Sequence, residues 1–217
     1  AALVLGSVSE DVATLGKYGI AKVYQVANAE LNHVDAQVYA KVIAEAVTST
    51  NSTVLVFSHN QTGKAVAART AARLKAGLVA GACALPETSN GFVVKKTVFS
   101  GKAFANVNIT SAVKVISLNP NSYKTVATDG TAEVVALNIA VDVAKVKVTA
   151  VNKVSGDVPL TEADIVVSGG RGLKGPENWG IILDLAKELG AATACSRPVG
   201  DAHWRPHHEH VGQTGVQ

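Results

Sequence analysis

The feature that most narrows the fold is a strand–helix–strand rhythm in the first half of the chain. Thr53–Phe57 (TVLVF) is an almost wholly apolar run, of the kind buried on both faces of a parallel sheet. It opens into a polar turn, Ser58-His59-Asn60-Gln61, and then Thr62–Leu74 reads as a helix with Thr62 as its N-cap. Leu78–Ala84 follows as a strand, while Leu3–Gly6, Ile20–Val26 and the helical stretch Ala36–Val47 repeat the pattern upstream. Parallel strands need such helical crossovers, so the rhythm predicts an α/β domain with a doubly wound parallel sheet.

From about Gly91 the rhythm changes. Gly91–Phe99 and Phe104–Ile109, joined by Ser100-Gly101-Lys102, predict an added β-meander, and Val113–Leu118 predicts another strand. Ala132–Val154 alternates valine with polar residues and reads as extended. Ser155-Gly156-Asp157 then marks a boundary between a domain at 1–155 and a second at 156–217. In the second, βαβ returns: a buried strand at Asp164–Val167, a glycine-rich loop at Ser168–Gly175, a helix at Glu177–Leu189 and a strand at Ala191–Cys195. Ile182, Leu185, Ala186 and Leu189 give that helix one apolar face. The absence of Met and the opening directly on the apolar run Ala1–Gly6 predict a fragment, with the second domain cut short at Gln217.

Composition removes several function classes. No uninterrupted apolar window is long enough to span a bilayer, so no membrane insertion is expected. At 47% hydrophobic and 17% charged residues the chain has material for a core and is not a disordered one. A net charge of +3 without a basic stripe predicts no nucleic-acid partner. Cys83 and Cys195 sit far apart in Ala/Val-rich runs and read as small buried thiols rather than a disulfide pair.

The strongest chemical signal is Ser168-Gly169-Gly170-Arg171-Gly172-Leu173-Lys174, where a strand opens into glycines and an arginine before a helix. Bare backbone amides at a helix start favour an anion, and a guanidinium grips phosphate. A tight βα turn that uses glycine only for its backbone freedom accounts for the same residues. The spacing is not GxGxxG, and Cys195-Ser196-Arg197 stands where an NAD site would carry an acid. Ser196-Arg197 lies at a strand's carboxyl end, where open α/β sheets place ligands; a surface ion pair from Arg197 to Asp201 is the alternative. Val211-Gly212-Gln213-Thr214-Gly215 is a further glycine-flanked turn. His203, His207, His208 and His210 match no structural zinc spacing and read as surface residues. The Ser58–Lys64 loop lacks the leading glycine of a phosphate loop and reads as a helix cap.

Taken together, Ser168–Gly172, Gly175–Asn178, Ser196-Arg197, Asp201-Ala202-His203-Trp204-Arg205-Pro206 and Val211–Gly215 resemble the signature of the electron-transfer flavoprotein alpha subunit. Val54–Phe57, Ala71–Leu74 through Val79, and Phe99–Ala103 are similar to its N-terminal domain. Val216 departs from the usual lysine. The resemblance implies an electron carrier, not a catalyst, whose N-terminal domain docks a beta subunit carrying AMP, followed by a Rossmann-like α/β domain that binds FAD. It implies donors such as acyl-CoA dehydrogenases, a quinone oxidoreductase or other acceptor, and a bacterial cytoplasmic or mitochondrial matrix location. Carried over, Arg171 holds the FAD near its pyrophosphate and flavin, and Ser196 and Val211, Gly212, Gln213 and Thr214 line the flavin. The Thr214 hydroxyl falls at N5 and Arg197 beside the ring. The same alignment leaves out the family's opening strand–helix and about its last third. A nucleotide-binding enzyme or sensor module using NAD or AMP/ATP is the competing class.

Overall fold

A computed structural model of the chain describes residues 1–99, 101–151, 159–160, 163–212 and 215–216. The chain separates into two compact units, Ala1–Thr149 and Ala150–Gln217. The expected boundary at Ser155-Gly156-Asp157 lies outside the described residues.

The first unit runs β1 (Ala2–Leu5), β2 (Lys22–Val26), α1 (Ala36–Thr50), β3 (Val54–Ser58), α2 (Gln61–Leu74), β4 (Gly77–Ala82), β5 (Val93–Val98), β6 (Ala103–Asn108), β7 (Lys114–Leu118) and β8 (Glu133–Ala136). Its strands form a parallel sheet ordered β1-β2-β8 and a five-stranded sheet ordered β3-β7-β4-β5-β6. The latter is parallel through β3, β7 and β4 and antiparallel through β5 and β6, so the predicted meander is present. The fold class is α/β, as the rhythm of the sequence indicates.

Local chemistry explains the helices. Asp35 accepts from the amides of Gln37 and Val38 at 2.8 and 3.2 Å to start α1, and Asn51 ends it in the left-handed region at φ 52°. Val38, Val42, Ile43, Ala46 and Val47 share its buried face. The cap of α2 is Asn60, not Thr62: its Oδ1 accepts from Gly63 N at 2.8 Å. The helix begins one residue earlier than the sequence suggests, because Asn60 is extended and can turn its carboxamide onto the first free amides.

Both helices pack on the face of the five-stranded sheet that carries Leu55, Val115 and Leu78. Each such buried aliphatic side chain contributes about 1.5–3 kcal/mol. The opposite face is covered at Val79 and Ile116 by Phe92, Val94 and Ile109 rather than by a helix. That cover stops short of β3, which is an outer strand, and Val56 is 64% exposed. The run Thr53–Phe57 is therefore buried on one face only, a correction to its all-apolar reading.

After β8 the alternating stretch does not continue a ladder. Leu137, Ile139, Val141 and Ala144 pack against Val26, Leu31, Val38 and Val42. An ion pair from Lys41 Nζ to Asp142 (2.8 Å) and a bond from Ala144 N to Glu30 Oε2 (3.4 Å) fasten it. Cys83 is half-buried just past β4, donating weakly to Lys95 O at 3.5 Å, so only Cys195 is the buried thiol expected.

The second unit contains β9 (Val166–Gly169), α3 (Gly180–Leu189), β10 (Ala192–Cys195) and the short α4 (Arg197–Asp201). The two strands pair in parallel. A 3-10 turn over Pro176–Trp179 precedes α3, so the helix starts later than Glu177. Ile165 and Val166 are exposed and the strand begins at Val166, unlike the expected buried run Asp164–Val167. Trp179, Cys195 and Val199 form the core, with Leu173, Ile182 and Trp204 packed on it. Of the predicted apolar face, Ala186 is buried and Ile182 packs on this core, while Leu185 and Leu189 are exposed. Among the described residues no helix is long and apolar enough to cross a membrane.

Candidate functional site

The carboxyl ends of β9 and β10 are where the sequence placed its chemistry, and their geometry is set by main-chain bonds. β9 ends at Gly169, whose hydrogen side faces the indole of Trp179. The chain then makes a 3-10 turn over Arg171–Leu173, closed by Leu173 N to Gly170 O (3.1 Å) and Lys174 N to Arg171 O (2.9 Å). Asn178 Nδ2 donates to Leu173 O at 2.8 Å and pins the turn from the side. Sequence reasoning gave no role to Asn178 or Trp179. Their position just after the glycines was the one available signal.

β10 delivers Ser196 beside this turn. Ser196 N donates to Gly169 O at 3.0 Å, and a β-carbon on Gly170 would lie 3.6 Å from Ser196 Oγ. The hydroxyl caps nothing, although Ser196 is the residue before α4. The third turn joins through its backbone: Val211 N donates to Cys195 O at 3.0 Å, with a parallel bridge between Cys195 and His210. Val216 N returns to His210 O at 2.9 Å, and a Val211–Val216 bridge closes the loop. Gly212 sits at φ 118°, a conformation that strains any residue with a β-carbon. Gln213 and Thr214 lie outside the described residues.

The structure thus brings the Gly170–Arg171 turn, Ser196 and Val211–Gly212 to one end of two parallel strands. Arg171 is exposed and forms no ion pair among the described residues. Arg197 does: its Nε lies 3.4 Å from Asp201 Oδ2, one helical turn on, with the arginine side chain 64% exposed. An exposed pair of this kind contributes only about 0.3–0.5 kcal/mol.

Beneath the turns lies a less exposed pair. Arg205 binds Glu209 in two-pronged fashion, Nε to Oε2 at 2.7 Å and Nη2 to Oε1 at 2.6 Å. The Arg205 guanidinium stands 5.7 Å from the Trp179 ring centre. Burial, and then the Glu209 carboxylate, push the Cys195 thiol upward. Trp179 Nε1 is buried without a hydrogen-bond partner among the described residues. The rings of His203 and His207 meet edge-on at 5.9 Å. Among the described residues no group of three or more His, Cys, Asp or Glu is placed to hold a metal.

In the first unit the Ser58–Lys64 loop caps α2, as its sequence suggests. His59 Nδ1 lies 2.8 Å from Ser117 Oγ, which also accepts from Gly81 N at 3.3 Å. Burial first, then Lys64 and Lys96, hold the imidazole below its usual pKa. An open groove of about 640 Å³, lined by Lys41, Glu45, Arg73, Leu137 and Ile139, also belongs to this unit.

Residues 1–144 match the family model described as electron transfer flavoprotein domain, and residues 159–217 match the electron transfer flavoprotein FAD-binding domain. The chain is 33% identical over 219 residues to the electron transfer flavoprotein subunit alpha of Syntrophomonas wolfei subsp. wolfei, covering 99% of this chain and 69% of that protein. It is 32% identical to the subunit of the same description in Bacillus subtilis, covering 91% of this chain and 62% of the relative. It is 27% identical to the lactate dehydrogenase (NAD(+),ferredoxin) subunit LctC of Acetobacterium woodii, covering 99% of this chain and 53% of that protein. The chain therefore spans between 53% and 69% of the length of these relatives.

Proposed function

The chain belongs to the electron transfer flavoprotein alpha-subunit family, whose members are electron carriers rather than catalysts, and from that premise we propose that its second unit holds FAD at the carboxyl ends of β9 and β10. The meeting of three glycine-bearing turns at that edge carries the reading. Bound there, FAD supplies reversible one- and two-electron uptake at its ring system.

The residues fit such a group. Gly172 and Gly212 open on empty space, and Gly170 leaves room beside Ser196 Oγ, so backbone amides are reachable by a ligand. Arg171 is an exposed cation at the mouth of the first turn and suits the pyrophosphate. Ser196 offers an uncommitted hydroxyl, and Val211–Thr214 is the segment assigned to line the flavin, with Thr214 at N5. Arg197 is assigned to the ring's side. To serve there it exchanges or shares Asp201, and a fixed cation at that place favours added negative charge on the ring.

The first unit, with the rest of residues 1–155, is assigned to docking a beta subunit that carries AMP. Residues 156–217 are assigned to the flavin. Electrons then pass from dehydrogenases, of the acyl-CoA class or related ones, to a quinone oxidoreductase or another acceptor. Such partners share a bacterial cytoplasm or a mitochondrial matrix. The test is co-expression of the full-length chain with a beta subunit, followed by a visible spectrum of the purified complex. Flavin absorption bands are expected; a colourless complex that takes up no added FAD overturns the reading.

A further inference from the structure

β6 is an outer strand of the five-stranded sheet and, among the described residues, pairs with β5 alone. Its sequence, Ala103-Phe104-Ala105-Asn106-Val107-Asn108, has no charge and no proline, and its register with β5 runs without a break. Charge, proline and bulges are the usual devices that keep a sheet edge from recruiting another strand, and all three are missing. Alternation puts Phe104, Asn106 and Asn108 on one face, opposite Thr97, Lys95 and Val93. Phe104 is 60% exposed, with Lys95 Nζ 4.2 Å from its ring centre, and Phe99 at the hairpin end is 79% exposed. The surrounding charge has one sign. Between Glu87 and Asp129 the chain carries Lys95, Lys96, Lys102, Lys114 and Lys124 and neither Asp nor Glu.

We propose that the β6 edge takes up an extended, acidic strand of the partner beta subunit, enlarging the five-stranded sheet across the subunit boundary. The inference rests on the subunit pairing assigned above. Main-chain bonds to the open row of N–H and C=O groups supply the affinity. Carboxylates on the incoming strand meet Lys95 and Lys102, and its apolar residues on the same face meet Phe104. An anionic bilayer would satisfy the lysines and Phe99 but would leave that backbone row without partners, which is why a protein strand is the better occupant.

Hydrogen exchange read by mass spectrometry, on the full-length chain alone and in complex with the beta subunit, decides it. Amides in 103–108 are expected to exchange at least about tenfold more slowly in the complex. Lys95→Glu combined with Lys102→Glu, both at exposed positions, is expected to weaken association by at least about tenfold at low salt, with a smaller loss in 0.5 M salt. Circular dichroism confirms that the variant is folded. A flavin-bearing complex with 103–108 exchanging as in the chain alone overturns the inference and leaves the functional reading intact. Protection of β6 in a colourless complex does the reverse. Failure of the two chains to associate overturns the inference. So does loss of flotation with phosphatidylserine-containing vesicles in the charge-reversed variant without β6 protection, which would assign the surface to a bilayer.

Discussion

The indole of Trp179 lies directly against Gly169: a β-carbon at Gly169 would stand 2.6 Å from Cη2 and 2.9 Å from Cζ3 of the ring. Trp179 is 3% exposed and cannot swing away. Gly169→Ala is therefore expected to lower stability by about 1–3 kcal/mol, the usual range for overpacking. Trp179→Phe in the same chain should recover part of that loss. Urea unfolding of the two single variants and the double variant measures the coupling, and strict additivity would show that the contact is not the cause.

Arg171 projects from the first turn with no ion pair among the described residues, so its removal should leave folding nearly untouched. With FAD bound as proposed, Arg171→Ala should weaken FAD binding by about ten- to a hundredfold, the range for loss of a charge-assisted bond of about 1.5–3 kcal/mol. Equilibrium dialysis against FAD reads the loss, and a matched melting curve without added FAD shows that the fold is intact.

Asp201 neutralises part of the charge on Arg197. Asp201→Asn should cost under about 0.5 kcal/mol of stability, because the pair is exposed. It should also raise the reduction potential of bound flavin if Arg197 stands beside the ring. Arg197→Ala should lower it. One-electron potentials move by about 59 mV per 1.4 kcal/mol, so a spectroelectrochemical titration resolves both signs. Equal shifts in one direction would detach the pair from the ring.

His59 is held in a lowered-pKa state by burial and by Lys64 and Lys96, with Ser117 as its hydrogen-bond partner. Below the ordinary value near 6.5 the unfolded chain takes up a proton more readily than the folded one. Stability contributed by the neutral imidazole is complete above that value and falls as pH drops toward the folded pKa. His59→Gln should flatten this acid-side slope. Melting temperatures of both proteins between pH 5 and 8 check it, and parallel curves would exclude His59 as the source.

Thr70 is fully buried on α2 and its hydroxyl has no partner among the described residues. Thr70→Val keeps the shape and removes the orphaned oxygen, so a gain of about 1 kcal/mol is expected. A rise in the urea midpoint at unchanged slope would register it, whereas a fall would reveal a bond to the hydroxyl.

Much of this was legible before any coordinates. Strand–helix alternation encodes the α/β class because apolar periodicity is local, and the Ser168–Gly172 loop announces itself through glycine spacing. The ion pair from Arg197 to Asp201 follows from a separation of one helical turn. The burial of Thr53–Phe57 did not follow, because an apolar run records what can be buried and not how many neighbours arrive. Val56 is bare because the cover from Phe92, Val94 and Ile109 ends before β3. Nor could the sequence show that Val211 would dock on Cys195 O, since that bond joins distant segments through the main chain. Asn60 displaced Thr62 as the cap because backbone geometry decides which polar side chain reaches the free amides.

The bonds Ser196 N to Gly169 O and Val211 N to Cys195 O tie the three turns together without using a single side chain. Outline and tuning are therefore separable here: the shelf is cast in peptide, and the fittings on it can be exchanged. Drift or an engineer could retune the charge at 171 or 197 over many variants without rebuilding the ledge on which a cargo rests.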